Sequence, residues 1–160
     1  MTDVRLVSAS AEETQALGRR IGDLLVSGDV LLLNGDLGAG KTTLAQGIIA
    51  AGRPGILAQS PTFTLINQYD ATPERPALFH LDLYRLDTPD DLDTIGFDDL
   101  IATGEGVVLI EWPERLGADL LDDYLLVVIT ELGPDSRTFD IRAVPEGGRH
   151  SRIVDAVATM

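Results

Sequence analysis

The octapeptide Gly35-Asp36-Leu37-Gly38-Ala39-Gly40-Lys41-Thr42 constrains this chain more than any other stretch, because it fits G-x-x-x-x-G-K-[ST]. Its neighbours suit it. Val30-Leu31-Leu32-Leu33-Asn34 is a short apolar run that reads as a buried strand, and Thr43 to Ala51 carry apolar residues at helical spacing. A strand, a glycine-rich turn and a helix are thus expected in succession. The glycines allow backbone N–H groups to converge on one anion, and the helix N-terminus adds its positive dipole end. The Lys41 ammonium is placed to reach β- and γ-phosphates, and the Thr42 hydroxyl to ligate a bridging magnesium ion. Lys41 is the only lysine among 12 basic residues, which weakens the alternative of a glycine-rich turn with a chance lysine.

Length allows one α/β domain over residues 1–160, built on one core. The chain has no cysteine, which excludes disulfides, iron–sulfur clusters and thiolate zinc sites. A net charge of −14 opposes unaided binding of nucleic acid; a basic patch would have to come from 11 scattered arginines, so a partner is expected to hold any nucleic acid. The residues Met1-Thr2-Asp3-Val4-Arg5 lack the basic and apolar regions of a signal peptide, and no apolar run is long enough to span a bilayer. A cytoplasmic location is expected.

Along the chain, Val4–Ser8 reads as a short strand, and Ser10-Ala11-Glu12-Glu13 as a capping box opening a helix with Leu17, Ile21, Leu24 and Leu25 on one face. Gly52-Arg53-Pro54-Gly55 is a stop. Ser60 to Tyr69 reads as a polar loop followed by a strand, and Thr62 is either a sensor of γ-phosphate and metal or, like Ser60, a residue that satisfies a turn. Thr72 to Pro76 reads as a hairpin turn. Ala77 to Asp82 is an apolar strand ending in a carboxylate, expected to continue through Leu83-Tyr84-Arg85-Leu86. Thr88-Pro89 reads as a helix start, and Val107 to Glu111 as a second apolar strand ending in a carboxylate. Two such acids suit a phosphate-loop enzyme: one holds magnesium and the other orients the attacking water. Glu111 takes the metal role and Asp82 the water, although the reverse assignment stands open. Tyr124 to Thr130 and Arg137 to Val144 read as a late hairpin, followed by a short helix with Ile153, Val154 and Val157. His80 and His150 are lone histidines, one in a strand and one near a frayed end, and are not expected to ligate metal.

Four stretches, Gly35–Thr43 (G-D-L-G-A-G-K-T-T), Ser60–Leu65 (S-P-T-F-T-L), His80–Leu86 (H-L-D-L-Y-R-L) and Ile110–Glu114 (I-E-W-P-E), resemble in order and spacing the TsaE family, also called YjeE. This is the bacterial ATPase of tRNA threonylcarbamoyladenosine synthesis. The resemblance implies a P-loop NTPase-like, three-layer α/β sandwich whose central sheet is mostly parallel with antiparallel edge strands. It implies weak ATP hydrolysis in isolation, and a complex with TsaD and TsaB, in which TsaD modifies adenosine 37 of tRNAs reading ANN codons. The tRNA would be met only through those partners. ATP and Mg2+ are the implied cofactors. By position, Gly35, Asp36, Leu37, Gly38, Ala39, Gly40, Lys41, Thr42 and Thr43 would cradle nucleotide, with Lys41 holding phosphate and serving catalysis. Thr42 and Glu111 would hold magnesium, Thr62 would sense the γ-phosphate, Asp82 would be catalytic, and Trp112 would lie beside the site. Arg137, and more loosely Ser10 to Thr14, would approach the base.

Two other functions use the same loop. A small-molecule kinase needs an arginine-bearing lid, which the dispersed arginines do not suggest. A nucleotide-gated binding module has no use for both Asp82 and Glu111. The guanine signature N-K-x-D is absent, as Lys41 is the only lysine, which favours ATP. Arg85 or Arg115 is a candidate arginine finger, unless a partner supplies that charge.

Overall fold

In the computed structural model of the chain, residues 3–36, 38–53, 55, 66–84, 92, 96–115 and 121–159 are described. Strands β1 (Asp3–Ser8), β2 (Val30–Gly35), β3 (Ile66–Tyr69), β4 (Ala77–Asp82), β5 (Gly106–Glu111), β6 (Tyr124–Glu131) and β7 (Arg137–Val144) form one sheet. Its order is β1-β7-β6-β2-β5-β4-β3. The four inner strands β6, β2, β5 and β4 run parallel, while β7, β1 and β3 join antiparallel at the flanks. This is the expected α/β sheet with antiparallel edges. β2 and β5 lie at its centre because Val30-Leu31-Leu32-Leu33 and Gly106–Glu111 are buried on both faces, as continuous apolar runs of parallel strands must be.

Alternation along those strands builds two cores. Leu31, Leu33, Leu109, Val127 and Ile141 face the helices α1 (Ala11–Leu24), α2 (Lys41–Ala50) and α4 (Ser151–Ala158). Val30, Leu32, Val108 and Ile110 face the opposite way, against Phe97 of α3 (Phe97–Thr103) and against Leu81, Leu83 and Leu92. Helices α1 and α2 approach through glycine: a Cβ on Gly18 would lie 2.5 Å from the Leu44 carbonyl oxygen and 2.9 Å from the Gly47 Cα. That contact locks α2 closely against α1. No described helix is long and apolar enough to cross a membrane.

Several local expectations change. The strand ending in Asp82 stops there: the Tyr84 N–H donates to Asp82 Oδ1 at 3.0 Å, turning the chain out of the ladder. The Ser10 cap forms, its Oγ accepting from the Glu13 N–H at 3.1 Å, but the Glu13 carboxylate accepts from the Ala9 N–H at 2.8 Å rather than from Ser10. His150 does not sit at a frayed end. It is 1% exposed, accepts from the Val30 N–H at 3.1 Å and donates through Nδ1 to Asp123 at 3.0 Å. Burial lowers its pKa, against the pull of Asp29 and Asp123. Beside it the fully buried Asp29 holds Arg149, Arg152 and the Val26 N–H, so the C-terminal helix is pinned under the start of β2. The expected helix start at Thr88-Pro89 lies outside the described residues.

Candidate functional site

The parallel strands of such a sheet deliver their C-terminal ends to one edge, where ligands of open α/β folds bind. β2 ends there in Gly35 and the chain turns, the Ala39 N–H donating to Asp36 O at 2.9 Å. Gly40 stands immediately before α2 at φ 113°, a left-handed conformation that favours glycine. No side chain caps α2, so the N–H groups of its first turn face the cleft, with the dipole end behind them.

Lys41 points back over this turn. It is only 5% exposed, donates to Asp36 O at 3.0 Å and to Gly35 O, and its Nζ lies 3.8 Å from the centroid of the Trp112 ring. Burial lowers its pKa; Glu111, Glu114, Asp82 and Asp36 oppose that shift. The Thr42 hydroxyl donates to Glu111 Oε1 at 3.4 Å. Glu111 ends β5 and Asp82 ends β4, and the parallel register places them side by side. Asp82 is half-buried, and burial raises its pKa; the Tyr84 N–H opposes this, and the nearby Glu111 charge adds to it.

Trp112 follows Glu111 with φ at 61°, a strained conformation for a bulky residue. This turns its ring towards Lys41 and against Tyr84, at 4.9 Å between centroids. The resulting cleft, about 300 Å³, has the glycines, Lys41, Thr42 and Thr43 as floor and Asp82, Glu111, Tyr84 and Trp112 as wall. Gly40 and Thr43 also line a second cleft of about 210 Å³, with Ser10, Thr14 and Arg137 around it. Arg137 joins that second cleft to the loop: Nε donates to Ala39 O at 2.7 Å and Nη1 to Gly133 O at 2.9 Å. A larger groove of about 630 Å³ lies on the outer sheet, by Arg5, Val128 and Arg142, and shares no lining residue with either.

The sheet therefore gathers Lys41, Thr42, Asp82, Glu111 and Trp112 in one cleft, and Arg137 with the Ser10–Thr14 segment in the next. Leu37, Ser60, Thr62 and Arg85 lie outside the described residues, as does the side chain of Arg115. The residue that sequence reasoning left without a role is His80: its Nε2 lies 2.6 Å from Glu111 Oε2 and both side chains are buried. The available signal was parity, since His80 and Asp82 share one face of β4.

The family model described as "Threonylcarbamoyl adenosine biosynthesis protein TsaE" matches residues 8–139. The chain belongs to the TsaE family. Among relatives named tRNA threonylcarbamoyladenosine biosynthesis protein TsaE, that of Bacillus subtilis is 33% identical over 160 residues, covering 99% of this chain and 96% of its own length. That of a Nostoc species is 44% identical over 118 residues, 70% of this chain and 69% of the relative. The crystal structure of Bacillus subtilis YdiB superposes with a TM-score of 0.76 at 32% identity, covering 99% of this chain and 96% of that one. All four stretches that carry the TsaE resemblance fall within the matched span.

Proposed function

We propose that the chain is a single-domain P-loop ATPase that binds ATP with Mg2+, cleaves the γ-phosphate, and thereby supports threonylcarbamoyl transfer to adenosine 37 of tRNAs reading ANN codons. The observation that carries this is the register of β4 and β5, which sets Asp82 beside Glu111 at the mouth of the loop holding Lys41 and Thr42.

The donor set fits the metal. Mg2+ takes oxygen ligands, keeps several waters, and needs only one or two carboxylates beside substrate phosphates. The Thr42 hydroxyl and Glu111 carboxylate, 3.4 Å apart, are such oxygens. Among the described residues no cluster of three or more His, Cys, Asp or Glu side chains offers a metal site by itself. Thr42 and Glu111 would hold the ion beside the phosphates, and it would supply positive charge to the phosphoryl oxygens.

The loop N–H groups of Gly38 and Gly40 and the start of α2 bind the polyphosphate. Lys41 leaves its two carbonyls for the β- and γ-oxygens. Asp82 accepts a hydrogen bond from the attacking water. As that water passes a proton to Asp82 it forms a bond to γ-phosphorus, the bond to the β–γ bridging oxygen breaks, and ADP departs with the bonding pair. A carboxylate whose pKa is raised by burial is a stronger base than an exposed one, which suits Asp82 to this role. Thr62 senses the γ-phosphate, Trp112 packs beside it, and Arg137, with the Ser10–Thr14 segment, lines the space for adenosine.

The protein works in the cytoplasm with TsaD and TsaB, which hold the tRNA; the charge of −14 supports this division of labour. The test is multiple-turnover tRNA modification with and without this chain, alongside ATP hydrolysis with and without the partners. Stimulated hydrolysis and sustained modification are expected. Phosphorylation of a small-molecule acceptor without partners would establish a kinase instead.

A further inference from the structure

We propose that His80 is the positioning residue for the metal-holding carboxylate: its Nε2–H grips one oxygen of Glu111 so that the other alone faces Thr42 and the phosphates. This rests on the ATPase function proposed above.

The two oxygens of Glu111 have different partners. Oε2 lies 2.6 Å from His80 Nε2, whereas Oε1 lies 3.4 Å from Thr42 Oγ1. His80 pairs with Leu109 and Asp82 with Glu111, so the imidazole stands one pleat below Asp82 and reaches Glu111 diagonally, within range for a long side chain. Both partners are sealed from water, His80 at 1% and Glu111 at 2% exposure. A carboxylate only accepts, so Nε2 carries the proton. Among the described residues, Nδ1 is buried without a hydrogen-bond partner, and an N–H there would be left unsatisfied. The ring is thus held as its Nε2–H tautomer, with that N–H aimed at one oxygen of the carboxylate. Carboxylates that bind metal are themselves oriented by such hydrogen bonds, and losing one typically costs about 10–100-fold in metal affinity or activity.

The test compares His80→Gln and His80→Asn with the parent. Glutamine places an amide N–H where Nε2 stands; asparagine has the same amide one methylene too short. ADP affinity is measured by calorimetry with Mg2+ and again with EDTA, and the Mg2+ dependence of ATP turnover is titrated. His80→Asn is expected to lose about 10–100-fold of the Mg2+-dependent gain in ADP affinity while metal-free affinity holds. Half-activation by Mg2+ should move to higher concentration by the same factor. His80→Gln should recover most of both. A role confined to folding would lower Tm and metal-free affinity instead, and leave the Mg2+ gain unchanged. An unchanged gain in His80→Asn overturns the proposal, as does a folded His80→Gln that loses it, a result that decides even if the asparagine variant fails to fold. A parent with no ATP turnover at any Mg2+ concentration, even with its partners, would overturn the ATPase function itself, and this proposal with it.

Discussion

Replacing Asp82 by Asn should slow the protein and stabilise it in the same step. The mutation removes a charge but keeps the oxygen that accepts from the Tyr84 N–H at 3.0 Å, so the local turn survives. Loss of a positioned base typically costs about 10²–10⁴ in rate, which at 1.36 kcal/mol per tenfold is about 2.7–5.5 kcal/mol of barrier. Binding of the triphosphate should hold, since Lys41, Thr42 and the loop amides are untouched. The stability effect follows from the raised pKa of Asp82, caused first by burial and then by Glu111. The folded state binds that proton more tightly than the unfolded chain does. Stability is therefore favoured at acid pH, below the unfolded pKa, and lost as pH rises through the folded value. At neutral pH the parent carries that penalty and Asp82→Asn does not. Its Tm should exceed the parent's at pH 7, by about 2–4 °C for each kcal/mol relieved, and the difference should vanish in acid. The assays are partner-stimulated ATP turnover, ADP calorimetry, and thermal melts across pH. Parent-like turnover would refute the assigned role, and a Tm gain confined to acid pH would refute the linkage.

Lys41→Ala should abolish most triphosphate affinity, because the loop's one ammonium is removed; unchanged ATP binding by calorimetry would refute this. Trp112 fluorescence should change as nucleotide is added, since its ring lies 3.8 Å from the Nζ that the phosphates would draw away. A flat titration at saturation would contradict that geometry. Gly18→Ala should lower Tm although alanine is favoured in helices by about 1 kcal/mol. The new Cβ would meet Leu44 O at 2.5 Å, and overpacking of this kind costs about 1–3 kcal/mol. A rise in Tm would mean that α1 and α2 separate freely.

The parts of the molecule that were legible in the chain are those whose causes lie close together along it. The glycine-rich loop is eight consecutive residues, and its place between β2 and α2 follows from residue types within and beside it. The late hairpin and the C-terminal helix followed from short-range alternation and periodicity. Other features escaped because their partners are remote. His150 looked terminal until Val30 and Asp123 were found around it. The strand through Asp82 looked longer than it is, because the hydrogen bond that ends it uses the same carboxylate that marks the site.

By itself the sequence determined the glycine-rich segment between strand and helix, the two acidic strand ends and the family to which they belong, since each depends on residue type and local spacing. Only the tertiary structure decided that these acids stand side by side, that one of them shares its oxygens between His80 and Thr42, and that Trp112 closes over Lys41. Those are facts of strand register and of side chains meeting across 30 or more residues, as from His80 to Glu111. A register shift of one residue in β4 would turn His80 and Asp82 to the other face of the sheet, away from Glu111.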